Sequence, residues 1–164
     1  MMSFLQLSFL QGPIMLTDFQ PATCSDIRVR YNEADMQGIV FNANYLIYAD
    51  IGVTEYYRAL GAAAGLGDHD KWLQSHGGET MVRHAEVEFL RSAKADDMLT
   101  IAARCLRIGR TSFTLLIRIM RGTEHLADVR LTNVWFDGRA PKPLPLPDAL
   151  IAQIEAFEAL PPQR

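Results

Sequence analysis

The stretch from Ala43 to Leu60 restricts the fold of this chain more than any other. Tyr45, Tyr48, Ala49, Gly52, Val53, Tyr56, Tyr57 and Leu60 recur at helical spacing. One side of a long helix is therefore apolar and aromatic. Ile47, Asp50, Thr54, Glu55 and Arg58 take the remaining face. Asn42 or Asn44 is placed to cap its start, and Gly61 to stop it. Such a helix needs a cover, and the residues that follow supply one. Thr80–Leu90 sets Ala85, Val87 and Phe89 against His84, Glu86 and Glu88. Met98–Ile108 alternates through Leu99, Ile101, Ala103 and Cys105. Ser112–Arg121 does so through Phe113, Leu115, Ile117 and Ile119, and Glu124–Asp137 through Ala127, Val129, Leu131, Asn133 and Trp135. A period of two predicts strands that each bury one face. Gly109-Arg110 and Gly122-Thr123 are the turns between the last three.

A first strand is predicted earlier, over Cys24–Tyr31, with Ile27 and Val29 on one face and Arg28 and Arg30 on the other. A polar turn, Asn32–Gln37, and Gly38 separate it from the helix. The small-residue segment Ala62–Gly78 holds a short helix around Lys71–Ser75. A Pro-rich exit leads to an amphipathic helix from Asp148. The order of strand, long helix and four antiparallel strands predicts an α+β domain whose sheet curls around one helix.

A length of 164 residues fits one domain. We divide it into an N-terminal extension, 1–20, outside the core, and a single domain, 21–164. The opening residues are apolar, but no basic residue precedes them, and Gln6, Gln11, Gly12 and Pro13 interrupt them. They make a poor signal peptide and are too short for a span. Met15 is a second candidate start. The net charge is −3 and no Lys/Arg run reaches motif length, which argues against a nucleic-acid partner. No membrane partner is expected. Cys24 and Cys105 fit no disulfide framework or metal spacing. Both are expected to be buried thiols in a reducing cytoplasm. His69, Asp70 and His76 match no ligand set, so no metal is expected.

Asp35 stands in the turn just before the long helix. A helix start has unpaired N–H groups and partial positive charge. A substrate carbonyl placed there could lodge its developing oxyanion on amides near Asn42 and Ala43. Asp35 could then attack the carbonyl carbon or activate a water. With a good leaving group one carboxylate suffices, and no Ser-His-Asp set is visible. Read alone, an Asp here is a solvated turn residue or an upstream cap. Glu33 is the rival carboxylate. On an extended backbone it points to the opposite face from Asp35, and we read it as structural, paired with an Arg. Gly38 serves a tight turn or the close approach of a ligand.

The segment RYNEADMQGIVFNANYLIYADIGVTEYYRALG carries a recognisable pattern. Tyr31, Glu33, Asp35, Gly38, Ile39, Val40, Phe41 and Tyr45 fall in its places. With VRHAEVEFLRSAKADDMLTIAARCLRIGRTSF and VWFDGRAPKPLP, it resembles the 4-hydroxybenzoyl-CoA thioesterase family of hotdog proteins over about Ser25 to Pro147. The resemblance implies a hotdog fold and hydrolysis of acyl-CoA to a carboxylic acid and coenzyme A, with no cofactor beyond the coenzyme A of the substrate. It implies a catalytic set of Asp35, Asn42 and Gly38, with Tyr45 and Val40 against the substrate. Arg110, Thr111, Ser112, Arg139 and Lys142 are implied to hold the nucleotide, whose phosphates need positive charge. Some relatives carry His or Tyr where this chain has Asn42, and one has a basic residue in place of Gly109. A homodimer or homotetramer, with the site at the interface, is also implied. The alternatives are an acyl-carrier-protein thioesterase, a non-catalytic acyl-CoA or lipid-binding module, or a dehydratase. The last usually needs a His, and none of His69, His76, His84 or His125 lies at that turn.

Overall fold

The structure, a computed structural model, describes residues 19–66, 69–138 and 142–164. Strand β1 is Thr23–Arg28, and a single 3-10 turn covers Tyr31–Glu33. Helix α1 runs Asn44–Ala63, and a short α2 covers His69–Ser75. Strands β2 (Glu79–Phe89), β3 (Met98–Ile108), β4 (Ser112–Arg121) and β5 (Glu124–Phe136) follow, and α3 (Asp148–Phe157) comes last. The strands form one antiparallel sheet in the order β1-β3-β4-β5-β2. Helix α1 packs against β1, β3, β4 and β5. This is the curled sheet on one helix that the strand and helix pattern predicts, and the hotdog arrangement that the resemblance implies.

The apolar stripe of α1 explains the seat. Tyr45, Tyr48, Ala49, Val53, Tyr56, Tyr57 and Leu60 are all buried, as are Leu99, Ile101, Phe113, Leu115, Ile117 and Ile119 from the sheet. Each large side chain so buried contributes roughly 1.5–3 kcal/mol relative to exposure. Gly52 lets the helix approach: a Cβ there would stand 2.9 Å from Ile101 Cγ2 and 3.2 Å from Ile117 Cγ2. Backbone meets sheet at this point, so any larger residue must push them apart.

The structure corrects several sequence expectations. Gly61 does not stop α1; it is buried inside the helix. The stop is Gly65, whose φ of +75° is left-handed. Gly65 N–H donates to Ala62 O and Leu66 N–H to Gly61 O, the paired bonds of a Schellman end. Neither Asn42 nor Asn44 caps the start, where Ala43 stands without a side-chain cap. Cys24 is exposed, not buried. It lies on the outward row of β1, opposite Ala102. Strand β2 does not bury the expected face, since Ala85 and Phe89 are exposed and Val87 is half-buried. It is an edge strand with one neighbour, bulged between Val82 and His84. Phe19, placed in the extension, is buried on the outer face of the sheet with Ala102 and Leu116. Its ring lies 4.6 Å from the Arg118 guanidinium.

Candidate active site

The chain leaving β1 folds back on itself before α1 begins. Ala34 bridges Val40 in antiparallel fashion, and Asp35 N–H donates to Ile39 O at 2.8 Å. Asp35 closes the turn with its own groups: its carbonyl accepts Gly38 N–H at 2.9 Å, and Oδ1 accepts Gln37 N–H at 2.7 Å. The Asx bond is what an Asp in a turn does locally. It leaves Oδ2 without a hydrogen bond among the described residues. Gly38 has φ +75°, with open space where a Cβ would be. The left-handed backbone alone accounts for glycine there.

The helix start is open toward this turn. Asn44, Tyr45 and Leu46 donate their N–H groups to Phe41, Asn42 and Ala43 carbonyls at 2.9, 3.3 and 3.2 Å. The N–H groups of Asn42 and Ala43 donate to nothing among the described residues, and both residues are exposed. These two amides are therefore available to an incoming oxygen at the positive end of the helix.

A pocket of about 230 Å³ lies at this helix start. Ile39, Val40, Asn42 and Tyr45 form one wall, and Phe89, Leu90, Arg91 and Ser92 form the other. Val40 and Tyr45 are fixed on Ala93: Val40 N–H donates to its carbonyl at 2.8 Å, and its own N–H donates to the Tyr45 hydroxyl at 2.9 Å. The Tyr45 and Phe89 rings meet edge to face, 5.2 Å apart. Arg91 is held at the rim by Glu124, 3.3 Å away, and by the His125 carbonyl at 3.2 Å. Asp35 does not line this pocket, but its backbone partner Ile39 does.

Glu33 faces away from that turn. Its Oε2 accepts the Tyr48 hydroxyl at 2.7 Å and Arg30 N–H at 2.8 Å. Burial first, and the bond to Glu33 second, push the Tyr48 hydroxyl far above the usual tyrosine range, so it stays a donor. The structural role expected for Glu33 fits this geometry, but its partners are a Tyr and a backbone amide, not an Arg side chain.

The remaining expected binding residues stand elsewhere. Arg110, Thr111 and Ser112 form the β3–β4 hairpin, packed on the Leu144–Leu146 exit: Leu146 N–H donates to Arg110 O and Trp135 N–H to Thr111 O, both at 2.9 Å. The Phe113 ring lies 6.2 Å from that of Tyr57, near the far end of α1. Twelve residues of helix separate Tyr57 from Tyr45, or about 18 Å. One chain thus gathers Asp35, Gly38, Val40, Asn42 and Tyr45 at one end of the sheet and Arg110, Thr111 and Ser112 at the other. Lys142 is exposed, and Arg139 lies outside the described residues. Among the described residues no three His, Cys, Asp or Glu side chains group as metal ligands. Phe89–Ser92 escaped the site prediction because an alternating strand end gives no sign that it walls a pocket.

The sequence pattern of the thioesterase superfamily matches residues 37–127, more than half of the chain. This chain belongs to that superfamily. The match begins two residues past Asp35, so it is silent about that residue. The acyl-CoA thioesterase YbgC of Haemophilus influenzae is 25% identical over 121 residues, covering 74% of this chain and 85% of its own. The acyl-CoA thioester hydrolase YbgC of Escherichia coli is 26% identical over 130 residues, covering 79% and 92%. A Thermus thermophilus thioesterase crystallised with coenzyme A and Zn superposes with a TM-score of 0.73 at 26% identity, over 86% of this chain and 97% of its own.

Proposed function

We propose that this superfamily member is a hydrolase that cleaves an acyl-CoA thioester to a carboxylic acid and coenzyme A. The observation that carries it is the pair of unbonded amides, Asn42 and Ala43, beside the Asp35 turn, with Asn42 in the wall of the pocket. The thioester oxygen accepts these N–H groups, and charge that develops on it is stabilised in place. Asp35, through the free Oδ2, either attacks the carbonyl carbon or takes a proton from an attacking water. The C–S bond breaks and the thiolate leaves. Water supplies the hydroxyl of the acid and, in the end, the proton of the thiol. Tyr45 and Val40 shape the pocket that holds the acyl group, and Gly38 sets the turn.

The named relatives support acyl-CoA as the substrate, and the hairpin can reach the coenzyme A of such a site only from a second chain. Strand β2 runs from the hairpin end of the sheet to the α1 start. An antiparallel copy of β2 against its bare edge reverses that direction. It carries the partner's hairpin, with Arg110, Thr111 and Ser112, toward the end where this chain's α1 starts. We therefore read the active enzyme as a homodimer or homotetramer, cytoplasmic, with each site built from two chains.

Asp35→Asn tests the mechanism. Release of free thiol from a panel of short, aromatic and long acyl-CoA esters should fall about 1,000-fold or more when the reacting carboxylate is removed. Unchanged turnover in the folded variant overturns the assignment. Tight acyl-CoA binding by the wild type with no thiol released makes the protein a binding module instead.

A further inference from the structure

We propose that Glu33 is a positioning residue, which holds Asp35 at a fixed place relative to the Asn42 and Ala43 amides. The inference rests on the role of Asp35 given above. Asp35's own bonds are local, to Gln37, Gly38 and Ile39. They shape the turn but do not fix it to the helix. Among the described residues, every hydrogen bond between the segment 31–39 and α1 is made by Glu33. Its carboxylate takes the Tyr48 hydroxyl, one helical turn inside α1, and its carbonyl takes Asn44 Nδ2–H at 2.8 Å. That carbonyl also accepts Phe41 N–H at 2.9 Å, just before the two free amides.

The other end of the brace is rigid. Tyr48 is 1% exposed and seated in the core, and Arg30 N–H ties the carboxylate to the exit of β1. The brace thus spans β1, the turn and α1 through one side chain. A nucleophile or base acts only within a narrow range of distance and angle to the carbonyl carbon. A shift of about 1 Å costs on the order of 100-fold in rate. A brace between the carboxylate-bearing turn and the oxyanion amides is therefore a determinant of kcat, while Glu33 itself is not among the residues that line the pocket and set binding.

The experiment compares Glu33→Ala, Glu33→Gln, Tyr48→Phe and the double variant Glu33→Ala/Tyr48→Phe with Asp35→Asn. The probe is the acyl-CoA ester that the wild type turns over fastest. Glu33→Ala is expected to lower kcat about 10- to 100-fold with KM within about twofold, the split expected for lost alignment. The Gln carboxamide keeps an oxygen that can accept from both Tyr48 and Arg30, so Glu33→Gln is expected to restore most of kcat. Tyr48→Phe removes the same link, and the double variant should be no slower than Glu33→Ala alone. A Glu33→Gln variant as slow as Glu33→Ala overturns the proposal, because it makes the charge of Glu33 the reacting group. Wild-type kcat in Glu33→Ala, with Asp35→Asn inactive, also overturns it and leaves the Asp35 reading standing. Retained turnover in Asp35→Asn removes the premise itself, and both fall.

Discussion

The two edges of this sheet are finished in opposite ways. On the β1 side the chain closes its own edge. Strand β1 has six residues and carries Asp26, bonded to the Thr100 hydroxyl, and Arg28, paired with Asp96. It covers β3 only as far as Ala103. From there the C-terminal tail takes over. The Glu158 carboxylate accepts Cys105 N–H, Ile108 N–H donates to Gln163 O, and Gln163 N–H donates to Leu106 O. On the β2 side no segment hydrogen-bonds to the open side of the strand among the described residues, although the strand carries exposed Glu79, Arg83, Glu86 and Glu88 and a bulge between Val82 and His84. Strand β2 has eleven residues and leaves Met81, Val82 and Phe89 exposed, with exposed Leu90 just past its end. Short strands, charge and covering segments blunt an edge, whereas a long edge with apolar side chains invites pairing. One edge is sealed by its own chain, and the other is open.

The largest effect should come from spoiling the open edge. Met81→Asp/Val82→Asp places like charges across the proposed two-fold. Light scattering should show a monomer that still folds, and turnover should drop about 100-fold or more as the partner's hairpin is withdrawn from the site. Cys24→Asp, the matching change on the sealed edge, should alter neither mass nor rate. An unchanged oligomer in the β2 variant, or a monomer from the β1 variant, reverses the comparison.

A smaller effect probes the seal itself. Glu158 is buried, with Oε1 bonded to the Tyr56 hydroxyl at 2.7 Å and Oε2 without a hydrogen bond, 4.0 Å from Arg104 Nε. Burial raises its pKa above the ordinary Glu value, and the bonds from Cys105 N–H and Tyr56 offset part of that rise. A folded-state pKa above the unfolded one means that the native state holds the proton longer. The stabilisation is full below the unfolded pKa and is lost as pH rises through the folded one. Glu158→Gln does not titrate. Urea unfolding should therefore find the variant gaining on wild type as pH rises above the ordinary Glu range. A gap that is flat or shrinks with pH contradicts the buried-acid reading.

Much of this architecture is written in residue spacing. The period of two in β3, β4 and β5 gave their limits closely, because each lies between two neighbours and buries one face against α1. The same rule misjudged β2, because burial depends on a neighbour that alternation cannot supply. The end of α1 was misplaced because Gly61 and Gly65 look alike in sequence, while only Gly65 takes the left-handed backbone. At the candidate site, the place of Asp35 in a turn just ahead of the helix start, and the open amides there, were legible in the sequence. The Glu33–Tyr48 bond was not, since it joins residues fifteen apart across a fold-back. That Arg110 and Asp35 stand at opposite ends is topology, which no local pattern states.

The smallest effect distinguishes the edges without altering either. Cys24 is exposed on β1, and Cys105 is buried beneath the tail. Partial burial, then the nearby Asp26 charge, raises the Cys24 thiol pKa, while burial pushes Cys105 up to about 12. Neither is therefore a ready thiolate at neutral pH, and access separates them. In the intact assembly, a thiol-reactive dye should label one site per chain, slowly at pH 7 and faster at pH 9, with activity retained. Peptide mapping should find the label on Cys24, and Cys105 should react only on unfolding. If the copies instead met along β1, Cys24 would be covered and the native protein would resist the dye, while the β2 edge would have to be closed by something other than a second copy.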